Sequence, residues 1–142
     1  MEPPYDICFS NAGVNNTWRV TGYVTMREQV EQLRADVLVR NFIHVDAEGS
    51  DEKQISDIED LLASGQCDAM IISPNTSEAL TPAVEQACAV LPVVVFDRGV
   101  LTDCPVTFMN SSKRSGRLSS ADRRRNPCST SVSLRERSPL NI

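Results

Sequence analysis

The chain has 142 residues, with 14 basic and 19 acidic side chains and a formal net charge of −5. That length suits one ordinary domain, and 41% hydrophobic with 23% charged residues is the composition of a folded chain. The longest apolar run, Ala87–Phe96, has ten residues, far short of the roughly 20 a membrane helix needs, so no stable membrane insertion is expected.

The charge is an average over two unlike pieces. Residues 1–110 carry six basic against seventeen acidic side chains, and residues 111–142 carry eight against two. The N-terminus, Met1-Glu2-Pro3-Pro4-Tyr5-Asp6, has no basic n-region and no apolar h-region. No secretory signal is therefore present as written: either the protein is cytoplasmic or the start has been clipped or miscalled. The five cysteines (Cys8, Cys67, Cys88, Cys104, Cys128) include no CxxC pair and no zinc-type spacing. They read as free thiols, with Cys8 and Cys88 as small core residues.

In chain order, Tyr5–Ser10 is a strand and the Gly- and Asn-rich 11–16 a loop. Thr17 to about Arg34 is a helix, capped by Asn16, with a stripe at Val20, Tyr23/Val24, Val30 and Leu33 that Arg27 interrupts. Asn41–Asp46 is a second strand. A second helix follows Ser50, with Asp51 and Glu52 at its positive end, Ile55, Ile58 and Leu61/Leu62 as its stripe, and Gly65 as its stop. Ala69–Ile72 is a third strand, continuous in hydrophobicity as a central parallel strand should be. A third helix is expected to nucleate at Thr81-Pro82 and run to Cys88 or Ala89. Pro92–Phe96 and Val106–Met109 are the fourth and fifth strands. Strands alternating with helices imply an α/β unit, an open parallel sheet flanked by helices, over residues 1–110.

Residues 111–142 follow none of this. Nine are Ser and seven Arg, none is aromatic, and the few apolar residues share no period, so a disordered basic tail is expected. It reads either as a native basic arm able to touch nucleic acid or as out-of-frame translation after Asn110. The abrupt break behind an incipient strand favours the second, which removes the reason to expect a nucleic-acid partner.

Ligands of an open parallel sheet bind outside the carboxyl ends of its strands. Segments 11–19, 47–50 and 97–98 occupy that edge and bring Asn16, Trp18, Arg19, Asp97 and Arg98 to one rim. An indole can cover the apolar face of a sugar, while carboxylate and guanidinium exchange charge-assisted hydrogen bonds with hydroxyls. This is a polyol-binding set. The plainer alternative makes Trp18 a first-turn core residue and Asp97-Arg98 a solvated turn. His44 reads as a strand histidine without metal partners. No GxGxxG, GxxxxGK[ST] or GxSxG motif occurs, so neither a nucleotide cofactor nor an acyl-transfer elbow is expected. A Ser10/Asp97/His44 trio carries no weight beyond chance. The expectation is a protein that is not an enzyme and has no cofactor and no metal.

Asn15-Asn16-Thr17-Trp18-Arg19, Ile72-Ser73-Pro74-Asn75 and Val95-Phe96-Asp97-Arg98, each behind a strand, resemble the sugar-binding type I periplasmic binding proteins. These are the ribose- and galactose-type substrate-binding components of ABC transporters. The likeness covers about residues 4–110, the N-terminal lobe alone. It implies a sugar trapped between two lobes, with Asn16 bonding it, Trp18 stacking on it, Arg19 facing the cleft, and Asp97 and Arg98 holding hydroxyls. It also implies a periplasmic or cell-envelope location and a transporter permease as partner of the full-length protein. Thr17 stands where Pro is common and Arg19 where a second aromatic often stands. The absence of a second lobe makes a truncated fragment the expectation. A micromolar binder has about −8 kcal/mol of binding free energy, and half of that leaves affinity near millimolar.

The alternative is an effector-binding fragment of a ribose-repressor-type transcription regulator lacking its helix-turn-helix. A third reading, a flavodoxin-like receiver, has Asp46 and Asp97 available but no Lys after the fifth strand.

Overall fold

The computed structural model describes residues 2–109. The tail expected at 111–142, and Cys128 with it, lies outside the described residues. Eight elements follow one another: β1 (Tyr5–Asn11), α1 (Thr17–Ala35), β2 (Val39–Asp46), α2 (Asp51–Ser64), β3 (Ala69–Ser73), α3 (Ser77–Val90), β4 (Val93–Phe96) and β5 (Thr107–Met109). The strands form one sheet in the order β2-β1-β3-β4-β5. Every pairing is parallel, as the alternation of short apolar runs and helices predicts. The chain reverses its direction of build between β1 and β3, so the loops after those strands flank a topological switch point.

One face of the sheet carries α2 and α3. Cys8, Met70, Ile72, Val93 and Val95 point into it and meet Ile58, Leu61, Leu80, Ala83, Val84 and Ala87. On the other face Phe9 lies under α1, its ring 6.4 Å from Tyr23, 6.2 Å from Phe42 and 5.3 Å from His44. Tyr23 and His44 stack at 4.2 Å, so His44 is held by rings, in keeping with the strand-histidine reading. Gly22 lets the Phe96 ring approach α1, since a Cβ there would stand 3.2 Å from it.

Three expectations need correction. First, the buried stripe of α1 runs through Arg19, Tyr23, Met26, Val30 and Leu33, while Val20 and Val24 face outward at 40% and 45% exposure. The Asn16 cap sets the phase, and Arg27 interrupts nothing because its guanidinium lies over the Tyr23 ring at 5.9 Å. Second, α3 starts at Ser77, with Pro82 inside it. Proline there removes only the hydrogen bond due to the Glu78 carbonyl, and the Thr81 hydroxyl donates back to the Ser77 carbonyl at 2.7 Å. Third, the described cysteines are paired: Cys8–Cys67 spans a Cα separation of 5.7 Å and Cys88–Cys104 one of 6.4 Å. Both lie within disulfide reach. Sequence spacing could not show this, because each pair is joined through the third dimension, strand to loop and helix to loop.

The other ends match closely. Ser50 caps α2 through Lys53 N, and Gly65 ends it in the left-handed conformation at φ +64°. There glycine avoids the Cβ penalty.

Candidate ligand-binding rim

The rim begins with the turn that starts α1. Asn16 is extended, and its side-chain oxygen accepts from the Arg19 amide at 2.9 Å, the N-cap bond expected of that residue. The cap commits only the oxygen. The amide nitrogen makes a long 3.4 Å contact to Asn15 on the exposed side.

Trp18 is 45% exposed, and its indole N–H donates to Asp97 Oδ1 at 3.1 Å, across 79 positions of sequence. Arg19, only 7% exposed, turns inward beneath the same carboxylate, with Nε 3.9 Å from Asp97 Oδ2. That distance is an ion pair but too long for a hydrogen bond, so Arg19 Nε is buried without a hydrogen-bond acceptor. Asp97 itself stands at φ +71° at the end of β4. Aspartate tolerates this left-handed region better than most residues. Its amide donates to the Met109 carbonyl at 2.9 Å, which ties the corner to β5.

Of the five residues expected at the rim, Asn16, Trp18, Arg19 and Asp97 are thus joined by direct contacts. Arg98 is exposed and leans the other way, a guanidinium N–H donating to the Asn75 carbonyl. With Thr76, Ser77 and Glu78 it lines a shallow hollow at the start of α3.

Sequence reasoning missed the residue that ties the loops together. Gln54 of α2 is fully buried. Its amide donates to Ser10 Oγ at 3.2 Å and to the Ser73 carbonyl at 2.9 Å, and its oxygen accepts from the Asn75 amide at 2.9 Å. One side chain therefore spans the ends of β1 and β3 and the turn beyond. The available signal was its position: Gln54 sits one turn before Ile58 on the buried stripe, where an apolar residue is the default.

Asp51 extends the same knot, accepting from Asn75 Nδ2 and Thr76 Oγ1 at 3.0 Å each. Gly49 donates to the Ala12 carbonyl at 2.7 Å, a close approach that Gly13 leaves room for, its missing Cβ lying 3.3 Å from the Gly49 nitrogen. Asn11 and Ser73 face each other across β1 and β3. They are 2% and 1% exposed, and Asn11 Nδ2 and Ser73 Oγ lack hydrogen-bond partners. Buried polar atoms are normally satisfied by protein or water, and these two, like Arg19 Nε, have no protein partner among the described residues. Among the described residues no group of three or more His, Cys, Asp or Glu side chains is placed to hold a metal. No described helix is long and apolar enough to cross a membrane.

A parallel α/β lobe with polar side chains gathered at the carboxyl edge of its sheet is the arrangement in which open α/β sheets take ligands. Residues 7–118 match the model of the periplasmic binding protein domain, and the chain belongs to that family, one of binding proteins rather than enzymes. It is 38% identical over 95 residues to the ribose import binding protein RbsB of Bacillus subtilis (strain 168), a stretch that covers 66% of this chain and 29% of that protein. An ABC transporter solute binding protein from Thermobispora bispora DSM 43833 superposes with a TM-score of 0.71 at 33% identity, over 77% of this chain and 34% of that one. A carbohydrate transporter solute binding protein from Agrobacterium radiobacter, solved in complex with D-arabinose, has a TM-score of 0.64 at 22% identity, over 76% of this chain and 35% of that one. At that identity it shares the fold alone. The chain thus spans about a third of the length of these relatives.

Proposed function

We propose that this chain is the N-terminal lobe, at residues 1–110, of the sugar-binding component of an ABC transporter. Asn16, Trp18, Arg19, Asp97 and Arg98 form its half of the ligand site. The observation that carries the reading is the Trp18–Asp97 bond at 3.1 Å with buried Arg19 behind it. It presents an indole face beside a carboxylate and a guanidinium, the groups that cover a sugar ring and bond its hydroxyls. The relative named for ribose import supports a pentose-sized ligand. Two disulfides suit a cell-envelope location, because such bonds persist in oxidising compartments. They weigh against a cytosolic regulator. The permease partner belongs to the full-length protein.

A single lobe supplies part of the contacts, so weak binding is the expected outcome. Trp18 is the only tryptophan of the chain, and its emission reports on this site alone. Titration with D-ribose, D-arabinose and D-galactose should give a saturable change with a Kd of about 1 mM or weaker, lost in Asp97→Ala. No saturable change with any pentose or hexose would overturn the sugar reading. Micromolar affinity would overturn the half-site reading.

A further inference from the structure

The crossover from β4 to β5 differs from the others in the lobe. The three earlier crossovers each carry a helix of 14 to 19 residues, whereas residues 97–106 carry none. This strap runs along α3 and is fastened to it at two places. The Thr102 hydroxyl donates to Glu85 at 3.0 Å, and Cys104 is joined to Cys88. Its apolar residues Val100 and Val106 are only partly buried, and Leu101 is 80% exposed. Beyond it, β5 has three exposed residues and, among the described residues, pairs with β4 alone. β5 in turn holds the rim, because the Met109 carbonyl accepts from the Asp97 amide and Asp97 anchors Trp18.

We propose that the Cys88–Cys104 disulfide is a redox-operated clasp: it orders the strap and β5, and its reduction loosens the Asp97 corner while the rest of the lobe stays folded. Both its cysteines are partly exposed, whereas the other disulfide joins a partly exposed Cys67 to a fully buried Cys8. Thiol–disulfide exchange requires access to sulfur, so a small dithiol opens the clasp first. A dithiol thiolate attacks one sulfur and the S–S bond breaks to a mixed disulfide. The second thiol then closes the reductant to its cyclic disulfide, and its two protons end on Cys88 and Cys104. The effect on sugar binding rests on the proposed function; the clasp itself does not.

Amide hydrogen exchange on the 142-residue chain in a Cys128→Ser background tests this without any sugar, before and after limited dithiothreitol treatment. Peptide mapping identifies which disulfide has opened. Asp97 and Thr107–Met109 are expected to exchange at least about tenfold faster once Cys88–Cys104 opens, with β1, β3 and α2 unchanged and the Trp18 emission shifted. The double variant Cys88→Ser/Cys104→Ser, with Cys8–Cys67 intact, should reproduce that pattern without reductant. Unchanged exchange at Asp97 and β5 overturns the proposal. So does uniform loosening of all elements, which would make the bond a global staple, and so does reduction of Cys8–Cys67 ahead of Cys88–Cys104.

Discussion

Asp97 carries three demands at once: a positive φ, an indole N–H on one carboxylate oxygen and a buried guanidinium near the other. Asp97→Asn keeps the tolerance for the left-handed region and removes the charge. It should cost about 1–2 kcal/mol in urea unfolding, as Arg19 loses its only described carboxylate partner. Gln54→Leu should be worse than its volume suggests, by about 1–3 kcal/mol, because Ser10 Oγ, the Ser73 carbonyl and the Asn75 amide all lose a buried partner.

His44 gives the lobe a pH dependence. Burial lowers its pKa below the ordinary 6.5, opposed by the Asp46 carboxylate and reinforced by the Arg27 guanidinium, with the Tyr23 and Phe9 rings stacked against it. The unfolded chain therefore takes up its proton first, and stability is lost as pH falls through about 6.5 toward the lower folded value. Urea midpoints should drop between pH of about 7.5 and about 5.5, and His44→Phe should flatten that slope. A slope that persists in His44→Phe would assign it to another group. Asp6 acts at lower pH. Its hydrogen bond to Arg40 lowers its pKa from 3.8, so its contribution is present above that value and disappears as pH falls through the folded one.

Among the elements, the described strands and helices were legible because each carries a local signal. The caps Asn16 and Ser50 and the stop at Gly65 act within a turn of where they stand. What escaped was non-local. The phase of α1 was hidden because Arg19, a charged residue, occupies the inward position that Val20 and Val24 seemed to claim. The start of α3 was displaced because Thr76 spends its hydroxyl on Asp51 and makes no side-chain cap. The rim residues were nameable from their places behind strands, but the knot at Gln54 was not, since nothing local marks a buried amide.

The disulfides belong to this scale too. In the chain-entropy account, removing Cys88–Cys104, at a sequence separation of 16, should cost the ordered state of the strap and β5 about 3 kcal/mol. Removing Cys8–Cys67, at a separation of 59, should cost about 4 kcal/mol. Thermal melts of the two double variants order the pair, and Cys8, at 0% exposure in the core, adds a packing loss to its own.

For the whole molecule, the five parallel strands send every βα loop to one edge. Over 77% of this chain that arrangement superposes on the Thermobispora bispora solute binding protein at a TM-score of 0.71.

The Gln54 knot has a consequence for the order in which this lobe comes apart. Loops that meet ligands are commonly the first segments to open, since their amides hang on few interior contacts. Here the turn after β3 and the end of β1 hang on one fully buried side chain from the same helix that fills the core with Ile58 and Leu61. This part of the proposed ligand edge, unlike the Asp97 corner, is therefore thermodynamically interior. It opens when the core opens, and a solute arriving there meets a surface whose ordering entropy was surrendered during folding rather than at the encounter.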